Sequence, residues 1–373
     1  MTSGQLHWAD VNQLTENLDA EVHLLSFVAS KADAAMTLVE QLAPLLTQPI
    51  VLATQTMHGV GRAAVYQHCL TEANSPASVV VWPEFMSEGA AITQFNRPDR
   101  IILGAESDWA IAIMHDLLRP YNRARDMLLV MSPSAAELTK YAINTLLALR
   151  VSAMNEFANL ADRIGVDIEQ VRQGIGTDPR IGFNYLYPGA GFGGPNFIAD
   201  LEAVVDTFAQ QGQTARLLPA ALEVNRRQQE VLFGKVWQHY QTDLKGKTFA
   251  LWGVSYKPET STIAQASSLR LIDALLAQDV TLRVHDPKAL TALARHYGNH
   301  PQLIFCEDPY QACDTSQALL IMTEWKGYWN PDFTRLKTLL ADPVIFDGRN
   351  IYDPDRLHAL GITYRAIGRS NSI

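Results

Sequence analysis

EVHLLSFVASKADAAMTLVEQLAPLLTQPIVLATQT, residues 21–56, reads in three pieces. Residues 21–29 form a short apolar run of strand type. Residues 31–46 carry apolar side chains at helical spacing, and 49–56 return to strand. Strand–helix–strand is the repeating unit of a parallel sheet, because a crossover must bring the chain back to the same sheet end. The rhythm continues with a helix over 61–73, strands over 78–85 and 100–107, a helix over 108–122 and a strand over 126–132. An α/β parallel sheet with right-handed crossovers follows.

From 134 the texture turns helical. SAAELTKYAINTLLALRVSAMNEFANLADRIG opens with Ser134 as an N-cap candidate and closes on Gly165. DIEQVRQGIG is a short helix, ADLEAVVDTFAQQG follows a loop over 182–200, and a long helix runs from 214 to 241. The βα rhythm restarts with strands in KTFALWGVSY, TLRVHDP, QALLIMTEW and PVIFDGRNIYD, and a helix in SSLRLIDALLAQ. The pattern divides the chain into an α/β domain over 1–133, a helical domain over 134–241 and a second α/β domain over 242–373.

The 373 residues are 47% hydrophobic and 18% charged, an ordinary globular composition. A net charge of −9 argues against a nucleic-acid partner, since neutralising phosphates takes clustered Lys and Arg. No apolar run reaches the ~20 residues of a bilayer span, and residues 1–19 lack the basic and apolar regions of a signal peptide. Cys69, Cys306 and Cys313 have no metal or CxxC spacing and suit reduced thiols in a cytoplasm. A soluble, cytoplasmic chain with no membrane partner is expected.

Phosphate fingerprints are weak. HGVGR (58–62) fits a strand–helix turn. GAGFGG (189–194) matches GxGxxG in letters, but it follows helices and is expected to precede no long helix. A dinucleotide fingerprint needs the strand before it and the helix after it.

PEFMSEGAAITQFNRPDRIILGAES (83–107) resembles the UDP-glucose and GDP-mannose dehydrogenases, the nucleotide-sugar 6-dehydrogenases. The resemblance extends to 136–171, GIGTDPRIG (174–182), GFGGPNFIAD (191–200), VSYKPETS (254–261), TEWKGYWNPDFTRLK (323–337) and VIFDGRNIYDP (344–354). It implies two Rossmann-like α/β domains flanking a central helical domain that dimerises. Against the family pattern, the N-terminal domain is expected to lack its first βαβ unit, with GQLHWADV (4–11) resembling the family's strand just before the one at 21.

The family oxidises a sugar primary alcohol to a carboxylate in two hydride transfers to NAD, through a thioester on a cysteine in GGxCFxKD. A thiolate suits that step because it both attacks and leaves well. Here the cysteine position reads Asn196 and the lysine position Ala199, while Asp200 keeps the closing acid. Lys140 and Asn144, four apart on one helix face, match the pair around the reacting hydroxyl. Glu84 matches the acid of thioester hydrolysis, and Glu88 is expected one turn further on. Phe192 and Gly193 fall in the sugar-contacting loop. Lys257 and Arg349 match the nucleotide-sugar ligands of the C-terminal domain, and Arg180 one that reaches a partner subunit. Of the cofactor contacts Thr56 keeps its identity, whereas Ala264 replaces an arginine, and Ser261 and Thr262 replace two acids.

From the residues alone each feature has two readings. Lys140 and Asn144 are a solvated helix pair or an inherited site; Glu84 and Glu88 are surface acids or site acids; Asp200 is a helix cap or a substrate-orienting group. The resemblance supports three functions. The chain is a nucleotide-sugar-binding relative that has lost the two-step oxidation, a divergent NAD-dependent enzyme, or a subunit that pairs with an intact dehydrogenase. The first is expected, as a homodimer or a hetero-oligomer, with UDP-glucose or a similar nucleotide-sugar as ligand.

Overall fold

A computed structural model describes residues 21–25, 32–55, 57–122 and 127–369. The chain falls into two units, Met1–Ile143 with Asp206–Gly212, and Asn144–Val205 with Gln213–Ile373.

In the first unit β1 (Val22–Leu25), α1 (Ala32–Leu42), β2 (Val51–Thr54), α2 (Arg62–Glu72), β3 (Ser78–Val81), α3 (Ala91–Asn96), β4 (Ile101–Gly104), α4 (Asp108–Leu118) and β5 (Leu128–Met131) follow in order. The strands lie side by side in sequence order. Pairing is parallel from β1 to β3 and between β4 and β5, but β3 meets β4 antiparallel at Val81 and Gly104. The expected all-parallel order fails at that junction. The connection over 82–100 is largely irregular and holds only the short α3, so no long helix carries the chain across the sheet and it returns in the opposite direction. The core gathers Val51, Ala53, Val80, Ile101 and Leu103 of the sheet with Ala110, Met114 and Leu118 of α4.

Helix α5 (Pro133–Ile164) contributes residues to both units. Pro133 takes its first position, where a missing N–H leaves nothing unpaired. Ser132 therefore stands at the cap, and its Oγ accepts the Ala135 N–H at 3.4 Å. The expected cap Ser134 lies inside the first turn.

The second unit continues with α6 (Ile168–Gly176), α7 (Phe197–Gln210) and α8 (Leu217–His239). Its sheet holds β6 (Thr248–Trp252), β7 (Thr281–His285), β8 (Leu303–Phe305), β9 (Leu319–Ile321), β10 (Val344–Asp347) and β11 (Thr363–Ala366). Helices α9 (Ser267–Leu276), α10 (Leu290–Tyr297), α11 (Pro309–Cys313), α12 (Phe333–Leu339) and α13 (Pro354–Ala359) connect them. The order β11-β10-β9-β6-β7-β8 is wholly parallel. Numbered from β6, it is the 3-2-1-4-5-6 order of a doubly wound Rossmann sheet.

Successive side chains of a strand point to opposite faces. Phe249, Leu251, Leu320, Val344 and Phe346 enter one buried cluster, and Ala250, Trp252, Leu319, Ile321 and Ile345 enter another. Both faces are therefore covered, which explains why these strands read as unbroken apolar runs. The order of strand addition reverses between β6 and β9, and a crevice at the carboxyl ends of strands beside such a switch point is where open α/β sheets bind ligands.

Candidate functional site

The expected site residues fall into two sets, one in each unit. In the first, the Lys140 ammonium donates to the backbone carbonyl of Glu84 and sits 5.1 Å from the centre of the Phe85 ring. Arg100 lies over the same ring at 4.6 Å. Glu84 and Glu88 are exposed, and residues 82–87 between β3 and α3 are irregular. Glu88 is thus not one helical turn beyond Glu84: Pro83 lacks an N–H and fixes the backbone, and α3 begins only at Ala91. Trp82, Phe85, Phe95, Tyr121, Glu84 and Arg100 are among the residues lining a cavity of about 150 Å³.

Two neighbours of Lys140 on α5 carry a contact that sequence reading missed. The buried Glu137 carboxylate accepts the N–H groups of Gly61 at 2.6 Å and Ala63 at 2.8 Å, and the Tyr141 hydroxyl accepts that of Gly59 at 2.9 Å. A carboxylate thus fills the N-terminus of α2, where exposed N–H groups favour negative charge. Burial pushes the Glu137 carboxyl above its usual range in spite of these donors. The spacing of Glu137 and Tyr141, four apart, was the available signal.

In the second unit Asn144 Nδ2 donates to Asp200 Oδ2 at 2.5 Å, with both residues buried. Asp200 is the fourth residue of α7 and does not cap it. The cap position belongs to Asn196, whose carbonyl accepts the Asp200 N–H at 2.8 Å. The side chain of Asn196, which the resemblance sets against the family's cysteine, therefore stands, exposed, at a helix N-terminus. Such a position stabilises a thiolate, and the Asn found there is among the favoured capping residues. GAGFGG does precede a helix, the 14-residue α7, but no strand leads into it.

The glycine loop is tightly enclosed. Gly193 has the Gln265 carbonyl oxygen 2.2 Å from where a Cβ would stand, so no side chain fits. Gly194, at φ +94°, has the Tyr256 ring 2.6 Å from that point and donates its N–H to the Ala264 carbonyl at 2.9 Å. The buried Phe192 ring meets Phe197 edge-on at 5.7 Å.

Lys257 and Arg349 follow the carboxyl ends of β6 and β10. Lys257 Nζ lies 5.6 Å from the Tyr256 ring centre. Arg349 donates from Nε to the Met322 carbonyl at 2.7 Å and from Nη1 to the Gly191 carbonyl at 3.2 Å, with the Glu324 carboxylate 3.4 Å from Nε. Arg180 is exposed and forks onto Asp178 at 3.0 and 2.6 Å. Ala264 presents a methyl group, and Thr56 lies outside the described residues.

The family profile for the UDP-glucose/GDP-mannose dehydrogenase central domain matches residues 134–227, and that for the UDP binding domain matches 250–354. The UDP-glucose 6-dehydrogenase of Pseudomonas aeruginosa is 37% identical over 346 residues, covering 90% of this chain and 76% of the relative. The chain belongs to the UDP-glucose/GDP-mannose dehydrogenase family. Within the same family, the Rhizobium meliloti UDP-glucose 6-dehydrogenase is 34% identical over 325 residues, covering 86% of this chain and 73% of the relative. The UDP-glucose dehydrogenase structure from Pyrobaculum islandicum superposes with a TM-score of 0.81 at 26% identity, covering 95% of this chain and 81% of that one. Membership makes the chain a relative of oxidoreductases with a Rossmann fold and a domain suited to a nucleotide-sugar. Among the described residues, no helix is long and apolar enough to cross a membrane.

Proposed function

We propose that this chain binds a UDP-glucose-like nucleotide-sugar and does not carry out the family's two-step oxidation. One observation carries the reading: Asn196, with no nucleophilic sulfur, holds the cap of α7 where the thioester would form. A carboxamide cannot make and release an acyl intermediate as a thiolate does. Lys257 and Arg349 at the carboxyl ends of strands of the UDP-binding domain support retained binding, since diphosphates need such cations.

The described residues fit NAD poorly. The Glu137 carboxylate fills the N-terminus of α2, opposing a cofactor phosphate there, and Ala264 offers no charged donor. The proposed units of function are 1–133, 134–241 and 242–373. The central helices pair two copies in a cytoplasmic homodimer or join an intact dehydrogenase. The exposed Leu146, Phe157, Leu160 and Ile164 of α5 support pairing, and sedimentation with and without such an enzyme tests it.

Two assays decide the main reading. Titration calorimetry with UDP-glucose is expected to show binding that weakens in Lys257→Ala and Arg349→Ala; no heat at millimolar ligand ends the binding reading. Incubation with NAD and UDP-glucose is expected to form no NADH, and sustained formation of the uronate overturns the loss of oxidation. A second reading, a single oxidation to the aldehyde, draws on the retained Asn144–Asp200 and Lys140–Glu84 contacts. Trapping an aldehyde with one NADH per sugar would favour it.

A further inference from the structure

The buried face of α8 runs Leu218, Ala221, Asn225, Gln228, Gln229, Leu232, Val236. Three carboxamides thus interrupt an apolar stripe at the centre of a 23-residue helix, only 1%, 1% and 5% exposed. Apolar side chains of similar shape would serve packing as well, because a buried polar group gains little over water even when paired. Their pairing shows what they hold. Asn225 accepts the Phe192 N–H at 2.8 Å and donates to the Phe192 carbonyl at 3.0 Å, which also takes the Gln229 Nε2 at 3.0 Å. Gln228 donates to the Gly189 carbonyl at 2.7 Å and accepts from Asn159 at 2.8 Å. On α5 the fully buried Asn155 accepts the Gly189 N–H at 2.9 Å.

Residues 190–194 are buried yet neither helix nor strand. Their backbone groups have no ladder to join and must find other partners. The carboxamides supply these on the α8 side, and Ser267 Oγ and Arg349 reach the Gly191 carbonyl at 3.1 and 3.2 Å. The loop is thereby fixed at both ends before it delivers Asn196 to the start of α7.

We propose that Asn225 and Gln229 are positioning residues, which hold Phe192 and the following glycines in the shape that a nucleotide-sugar reads. This role rests on the nucleotide-sugar reading above. Neither residue touches the ligand; both act through the Phe192 peptide groups.

The test uses the full chain with UDP-glucose as probe. Asn225→Ala removes both bonds to Phe192, Gln229→Met removes one at nearly constant volume, and Glu230→Ala on the exposed side of α8 is the control. Affinity is read by calorimetry, and loop order by hydrogen exchange of residues 189–194 at a temperature where all variants are folded. Asn225→Ala is expected to weaken binding about tenfold, equivalent to about 1.4 kcal/mol, Gln229→Met about threefold and the control not at all. Exchange at 189–194 rises in the same order while β6 and α9 stay protected. If Asn225→Ala does not fold, Gln229→Met alone decides. Faster loop exchange with unchanged affinity overturns the role, and so does weaker binding that accompanies faster exchange across the whole unit. Wild-type protein that binds no UDP-glucose overturns the nucleotide-sugar reading and this role together; binding that the variants leave intact overturns the role alone.

Discussion

Asn144 and Asp200, 56 positions apart, share a 2.5 Å hydrogen bond in a buried environment. The donor comes from α5 and the acceptor from the first turn of α7, so the pair fixes one helix against the other. Truncating the donor leaves a carboxylate buried without it, which costs about 2 kcal/mol. Asn144→Ala is expected to lower the melting temperature by several degrees, and adding Asp200→Ala to recover part of the loss. Strict additivity in that double-mutant cycle would show that the two side chains act independently.

Asn196→Cys places a thiol at the N-terminus of α7, which favours its thiolate. Its alkylation by iodoacetamide should reach half-maximal rate below the ordinary thiol value of about 8.5. Cys306 and Cys313 should react later, because burial pushes both thiols up. A midpoint at or above the ordinary value would show that the helix start does not act on residue 196.

Gly193→Ala drives a Cβ into the Gln265 carbonyl, a backbone atom that cannot swing away. A loss of about 3 kcal/mol is expected. A melting temperature within a degree of wild type would mean that residues 264–266 give way freely.

Glu137 gives a pH dependence with a definite sign. Burial raises its folded-state pKa above the unfolded value, outweighing the Ala63 and Gly61 donors and nearby Arg62. Its contribution to stability is full below about 4.3, the ordinary glutamate value, and is lost as pH rises through the folded-state value. The stability of wild type relative to Glu137→Gln should therefore be greatest in acid and decline toward neutrality. A difference that is flat or grows with pH would place the folded-state value at or below the ordinary one.

Much of the fold was legible because its signals are local. Alternation of short apolar runs with helical spacing located most of the strands and long helices, and Gly165 marked the end of α5. The motifs around Lys140, Asn144, Asp200 and Arg349 were legible as a resemblance. Other features depend on neighbours distant in sequence. The antiparallel step from β3 to β4 leaves no trace in strand composition, which is similar whichever way a buried strand runs. Glu88 read as one helical turn from Glu84 because spacing alone does not register the irregular path after Pro83. Asn225, Gln228 and Gln229 carry no local signal of their part, since nothing in the sequence of a long helix says that an irregular loop will be laid against it.

The sequence by itself determined the alternation of strand and helix, the family pattern and the absence of sulfur at residue 196. Those properties belong to side chains and their spacing. Tertiary structure alone decided that Asn196 caps α7, that Asp200 pairs with Asn144, that Glu137 fills the start of α2 and that carboxamides of α8 hold the glycine loop. The last three are pairings of polar groups that packing takes out of water, and which groups must pair is settled only when packing buries them; Asn196, exposed, owes its place to where α7 begins.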